Sequence, residues 1–196
     1  MHKDFVRASE IRAQVFRKKL GLGSSGPIDP KQIARSLGIT ILTPQEIPGL
    51  CPSTVRVLLD TPATLWSACS FPWNGTLVII LNPNQTSERT KITTMEEIVH
   101  FMLRHRPTTI STALERTQIR DYYTHQEKEA YTIAAAMLMP RVDLLEAMRK
   151  HLTTEDIATT YGLSLELVQF RIQTLRLSHR FSRSQQFRHI LALFGD

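Results

Sequence analysis

No apolar run reaches the roughly 18 residues that a membrane-spanning helix requires, so a helical membrane protein is excluded. Cysteine is scarce. Cys51 and Cys69 form no CxxC pair, which leaves neither a disulfide framework nor a cysteine zinc knot. The opening residues, Met1-His2-Lys3-Asp4-Phe5-Val6-Arg7, have no apolar signal-peptide core. These absences together point to a cytoplasmic protein. Charged residues are only 21% of the chain against 42% apolar ones, a balance that excludes an intrinsically disordered polymer.

What is present is one domain's worth of chain, 196 residues, with room for a small appendage. Burial of roughly 70% of the unfolded surface is expected at this size, enough for a true core. The net charge is +6 and much of it is local. From Arg171 onward, Arg171, Arg176, Arg180, Arg183 and Arg188 face a single acid, Asp196. Such a tail is either an electrostatic footprint for nucleic acid or an acidic partner, or a solvated helix face.

Residues 8–20 read as an amphipathic helix with Ile11, Val15 and Phe16 on one side. Asp29 before Pro30 marks an N-cap, and Gly38 closes that short helix. The runs 39–42, 55–59, 65–69 and 77–81 are short and apolar, split by Pro, Gly and Asn, and read as strands of one small sheet. After Asn82-Pro83 the period becomes helical. Ser87 is the expected N-cap, Ile92, Met95, Val99 and Met102 recur at helical spacing, and the helix runs to His105 with Pro107 as its stop. A polar stretch through Arg120 precedes a helix over 126–139, with Ala130, Ile133, Ala134, Met137 and Leu138 inward. Four more helices are expected at about 142–149, 155–161, 165–176 and 183–193.

The chemistry concentrates at Glu96-Glu97-Ile98-Val99-His100. Two ligands on one helix share a metal only if they share a face, and the spacing of four between Glu96 and His100 meets that need. Glu97 sits where the general base of an HExxH site sits. A third ligand must come from a later helix, and Gln126-Glu127-Lys128-Glu129-Ala130 is the nearby segment that offers one. The bland alternatives are helix caps: Thr124 with Glu127, and Thr94 with Glu97, both have capping-box spacing.

The ordered string Ile79-Ile80-Leu81-Asn82-Pro83, Ser87-Glu88-Arg89, Glu96-Glu97-Ile98-Val99-His100 and Glu127-Lys128-Glu129-Ala130-Tyr131-Thr132-Ile133-Ala134-Ala135-Ala136-Met137-Leu138-Met139-Pro140 resembles the ImmA/IrrE metallo-endopeptidases over roughly 28–176. Those bacterial-type proteins pair a zincin HExxH helix with a second helix close to ExxAxxFAxxLLMP. The resemblance implies an α+β fold: a zincin-like helical domain with a small, mostly antiparallel sheet, over 1–140, and a C-terminal helix-turn-helix-like helical subdomain with a basic tail, over 141–196. It implies Glu97 as the catalytic base, with Glu96, His100 and Glu127 as metal ligands and Glu129 or His105 as fallback ligands. His105 lies five after His100 and reaches the site only if the helix ends sharply. The implied activity is regulatory proteolysis, in which a metal-bound water attacks a peptide bond in a partner transcriptional repressor.

Two positions depart from the family pattern. Glu96 stands where the first histidine belongs, and Tyr131 where an Asn or Asp often supports a ligand. A second carboxylate makes bound water a weaker acid; zinc accepts carboxylate oxygen, but oxygen-rich ligation fits manganese or iron better than zinc. The alternative function is therefore a catalytically inactive pseudo-peptidase that grips or senses a protein partner. A further pattern bears on DNA. Ala158, Gly162 and Val168 lie at helix-turn-helix offsets, Ser164 caps the second helix, and Gln169, Arg171 and Gln173 lie on it. Glu166 in its first turn repels phosphate, and in this family the segment resembles scaffold. Residues 33–38 repeat half of the pattern.

Overall fold

The computed structural model describes residues 1–73, 75–105 and 116–183, with backbone alone for 116–123. Its elements in chain order are α1 (Lys3–Lys19), α2 (Pro30–Ser36), β1 (Thr40–Leu42), a 3-10 turn (Pro44–Glu46), α3 (Pro52–Asp60), β2 (Ala68–Trp73), β3 (Thr76–Leu81), α4 (Ser87–Leu103), α5 (Arg116–Leu138), α6 (Arg141–Arg149), α7 (Thr154–Tyr161) and α8 (Leu165–Thr174). Residues 178–183 are again helical. The fold is α+β: mostly helix around a small three-stranded sheet.

The chain forms two compact units. One is Asp29–Tyr131; the other joins Met1–Ile28 to the chain from Thr132 on. This division falls inside α5, nine residues before the domain boundary read from the sequence at 140. A helix long enough to serve both units carries no sequence mark where one ends.

In the unit Asp29–Tyr131 the strand order is β1-β3-β2. β3 lies at the centre and is the most buried strand, with Val78, Ile79, Ile80 and Leu81 all inside, as its continuous apolar run predicts. β2 pairs with β3 antiparallel, Ser70 opposite Ile79, while the shorter β1 pairs parallel, Ile41 opposite Ile79. The sheet is thus mixed, antiparallel along its longer ladder.

Three expectations in this unit are corrected. Residues 55–59 are helix, not strand. Pro52 opens α3 at its first position, and Val55, Leu58 and Leu59 form its less exposed side at helical spacing, leaving Val57 64% exposed. The strand expected at 65–69 begins instead at Ala68, because its register is set by the hairpin that closes at Trp73 and Thr76, with Gly75 at φ 79°. Finally, α4 is capped by Thr86 rather than Ser87: the Thr86 hydroxyl accepts the Arg89 N–H at 3.2 Å. α2 matches expectation, with Asp29 accepting the Lys31 N–H at 2.9 Å.

α5 starts by Arg116, inside the stretch expected to be irregular; no Gly or Pro separates Pro107 from Pro140. In the other unit its last turns are buried on every side, Ile133 through Met139. The terminal carbonyls of a buried helix need donors. Two buried arginines supply them: Arg17 Nη1 donates to the Met137 carbonyl at 2.5 Å and Arg171 Nε to that of Met139 at 2.9 Å. Arg17 also binds the carbonyls of Gly23, Ser25 and Gly26, which ties down the glycine-rich loop.

Arg171 grips Glu10 as well, at 2.6 and 3.2 Å, and is fully buried. It is therefore a structural residue and not a groove-reading side chain, in contrast to exposed Gln169 and Gln173. On α1 the buried face is Val6, Ser9, Ala13, Phe16 and Arg17, whereas Ile11 and Val15 are exposed. A buried polar stripe shifts the face away from the apolar pair. α7 and α8 meet at Gly162, φ 57°, and Ser164 caps α8 by accepting the Leu167 N–H at 3.2 Å. Gly162→Ala should cost about 1 kcal/mol, since a Cβ is disfavoured in the left-handed region. The check is a lower urea midpoint with unchanged slope. Residues 178–183 are helical, and the helix expected at 183–193 lies, beyond Arg183, outside the described residues.

Candidate metal centre

One face of α4 and one turn of α5 build the site. Glu96 and His100, four apart on α4, meet Glu127 of α5 so that one ligand atom from each lies within 4.8 Å of the others. His100 Nε2 is 3.2 Å from Glu127 Oε1. Glu127 stands well inside α5, more than a turn from Arg116, so it is not the capping residue that its spacing from Thr124 allowed. Thr94 likewise sits inside α4, where its hydroxyl donates to the Thr90 carbonyl at 2.7 Å instead of capping Glu97.

Glu97 takes a different position. It lines a cleft of about 560 Å³ together with His100, Glu127 and the strand β2. Ser70 of β2 donates to Glu97 Oε2 at 2.6 Å. Phe101 and Arg104 complete the helical wall of the cleft.

The electrostatics follow from crowding carboxylates out of water. Burial, reinforced by the charge of Glu127, pushes Glu96 up to about 8, with His100 and Arg89 opposing the rise. Burial raises Glu97 also, against the Ser70 hydrogen bond and the charge of His100. For His100, burial disfavours the charged ring. The hydrogen bond and charge of Glu127, with Glu97 and Glu96, outweigh it and the net shift is upward. Cys69 is raised by burial and by Glu97.

A sequence-family model, the IrrE N-terminal-like domain, matches residues 57–173, more than half of the chain. The chain belongs to the ImmA/IrrE family. No curated protein matches it. Among solved structures it is similar to a Mycobacterium tuberculosis transcriptional regulator, at 13% identity and a TM-score of 0.56, over 86% of this chain and 47% of that one. This ImmA/IrrE chain thus spans about half the length of that regulator, and the likeness is one of fold.

The donors of this ImmA/IrrE site suit a divalent cation. Glu96 is half-buried, and burial beside the charge of Glu127 raises its pKa. Two crowded carboxylates beside an imidazole nitrogen are a donor set that a cation satisfies. The structure brings Glu96, His100 and Glu127 into one cluster. His105 and Glu129 lie beside that cluster and not in it: His105, which also lines the cleft, has Nδ1 3.0 Å from His100 Nδ1 and Nε2 3.3 Å from Glu129 Oε2. The sharp helix end that His105 required is there, because Arg104 adopts φ 56° and α4 stops at Leu103.

Ser70 is the residue that sequence reasoning missed. It lies 27 positions before Glu97 on a strand whose start was misplaced, and no motif marks a lone serine. The periodicity of β2, once anchored at Trp73–Thr76, puts Ser70 on the less exposed side of the strand. Among the described residues, no helix is long and apolar enough to cross a membrane.

Proposed function

We propose that the chain is a divalent-metal-dependent endopeptidase acting on a partner regulatory protein, with Glu96, His100 and Glu127 as ligands and Glu97 as the general base. One observation carries this reading: three ligand atoms within 4.8 Å of one another beside a cleft that Glu97 lines. A divalent ion held there supplies a Lewis acid that polarises a peptide carbonyl and acidifies water. Oxygen-rich ligation makes manganese and iron as suitable as zinc.

The chain's own residues supply the proton handling. Ser70 occupies Glu97 Oε2, which leaves Oε1 as the atom to take a proton from the attacking water and return it to the leaving amine. Burial lifts the affinity of Glu97 for that proton, as a base working near neutral pH requires. The edge strand β2 supplies one wall of the cleft, where an extended peptide fits. The regulatory setting rests on the family and on the solved structure it resembles, a transcriptional regulator.

The test is metal content by mass spectrometry on untagged protein, beside Glu96→Ala, His100→Ala and Glu127→Ala. Close to one ion per wild-type chain, lost in all three variants, is the expected result. No ion after incubation with zinc, manganese and iron would sink the peptidase reading and put the partner-binding pseudo-peptidase in its place.

A further inference from the structure

We propose that Glu129 and His105 are positioning residues that fix the ring orientation of His100 and hold its Nδ1 as a donor, so that its Nε2 faces Glu96 and Glu127. The proposal rests on the metal-site reading above. It gives a task to two residues that the sequence offers only as substitute ligands.

The geometry begins with the backbone. On an unbroken helix a spacing of five turns His105 well away from the face of His100. Arg104 in the left-handed region ends α4 instead, and the His105 N–H donates to the His100 carbonyl at 3.0 Å while the Arg104 N–H donates to Phe101 at 3.0 Å. This fold-back sets the two rings edge to face, with centroids 4.9 Å apart and Nδ1 to Nδ1 at 3.0 Å. His105 is thus clipped to His100 twice, by backbone and by ring.

Hydrogen-bond polarity fixes the rest. Glu129, as a carboxylate, only accepts, so the His105 proton lies on Nε2, 3.3 Å from Glu129 Oε2. A neutral His105 then has an unprotonated Nδ1, which can only accept. The partner atom, His100 Nδ1, must donate. That leaves His100 Nε2, 3.2 Å from Glu127 Oε1, as the nitrogen directed at the cluster: it donates to Glu127 when no ion is held, and it is the one available to ligate an ion that takes the proton's place. The side chains of His105 and Glu129 are 9% and 15% exposed, which keeps water from competing for these bonds. A ligating imidazole whose other nitrogen is held in this way binds metal more tightly, and loss of the holding group typically costs about 10–100-fold in affinity.

The test uses the full-length chain labelled with ¹⁵N. In metal-free protein, imidazole-detected NMR should show coupling across the hydrogen bond between the two Nδ1 atoms, and a proton on Nε2 of His105. Zinc affinity, measured by competition with a chromogenic chelator, should fall about 10–100-fold in His105→Phe, which keeps an aromatic ring and removes both nitrogens. Glu129→Leu should fall similarly, and Glu129→Gln, which retains an acceptor oxygen, should fall less. Thermal melting of each metal-free variant monitors the fold. Absence of the Nδ1–Nδ1 coupling, or a His105→Phe affinity within twofold of wild type, overturns the proposal. Should the wild-type chain bind no zinc, the metal-site reading fails, and the coupling measured without metal still decides whether the relay exists.

Discussion

Glu97→Gln is expected to lower peptide-bond hydrolysis by about 10²–10⁴-fold, the range for removal of a general base, while metal content and the folded state stay as in wild type. The amide keeps the size of the carboxylate and still accepts from Ser70, which now donates to Glu97 Oε2 at 2.6 Å. It cannot take a proton from water. Glu97 lies outside the cluster formed by Glu96, His100 and Glu127, so metal content should not change. The measurement pairs a cleavage assay on the partner protein with mass-spectrometric metal content of the same sample. Loss of metal together with cleavage would place Glu97 among the ligands instead. Unchanged cleavage would remove it from the mechanism.

Arg171→Met should strongly destabilise the unit formed by Met1–Ile28 and the chain from Thr132. The guanidinium is fully buried, pairs with both oxygens of Glu10, and caps the Met139 carbonyl. Its removal leaves a carboxylate that is only 18% exposed without its cation, and a helix-end carbonyl without a donor. Breaking a buried pair from one side costs about 3–5 kcal/mol. Urea unfolding followed by circular dichroism reads the loss. Replacing Glu10 by Leu in the same chain should recover part of it, because the uncompensated charge is then gone. A loss below about 1 kcal/mol, the value of an exposed pair, would mean that water reaches Arg171.

One of the two arginines that cap α5, Arg171, also belongs to the basic series at the end of the sequence. Read as charge, Arg171 opens a basic tail. Read in the fold, it is buried, whereas Arg176, Arg180 and Arg183, the other described members of that series, are exposed. Sequence charge counts formal groups without regard to burial, and an arginine's long stem lets the same residue serve either end.

The sequence by itself determined what local rules control. A spacing of four puts Glu96 and His100 on one face of α4, whatever surrounds it. Asp29-Pro30 starts α2, and Gly162 with Ser164 turns α7 into α8, because caps and left-handed turns depend on a few adjacent residues. The continuous apolar run at β3 marked the buried centre of the sheet. The order of motifs was enough to indicate the ImmA/IrrE family, which the match over 57–173 shows. Tertiary structure decided the rest. Residues 55–59 fit either period, and only Pro52 at the helix start and the sheet's pairing elsewhere made them α3. The partners of the site side chains, Ser70 on Glu97 and Glu129 on His105, come from elements 24 or more positions away, and no local pattern encodes such a meeting. The side of His100 on which His105 falls was set by one backbone angle at Arg104, a left-handed turn that a residue other than glycine does not advertise.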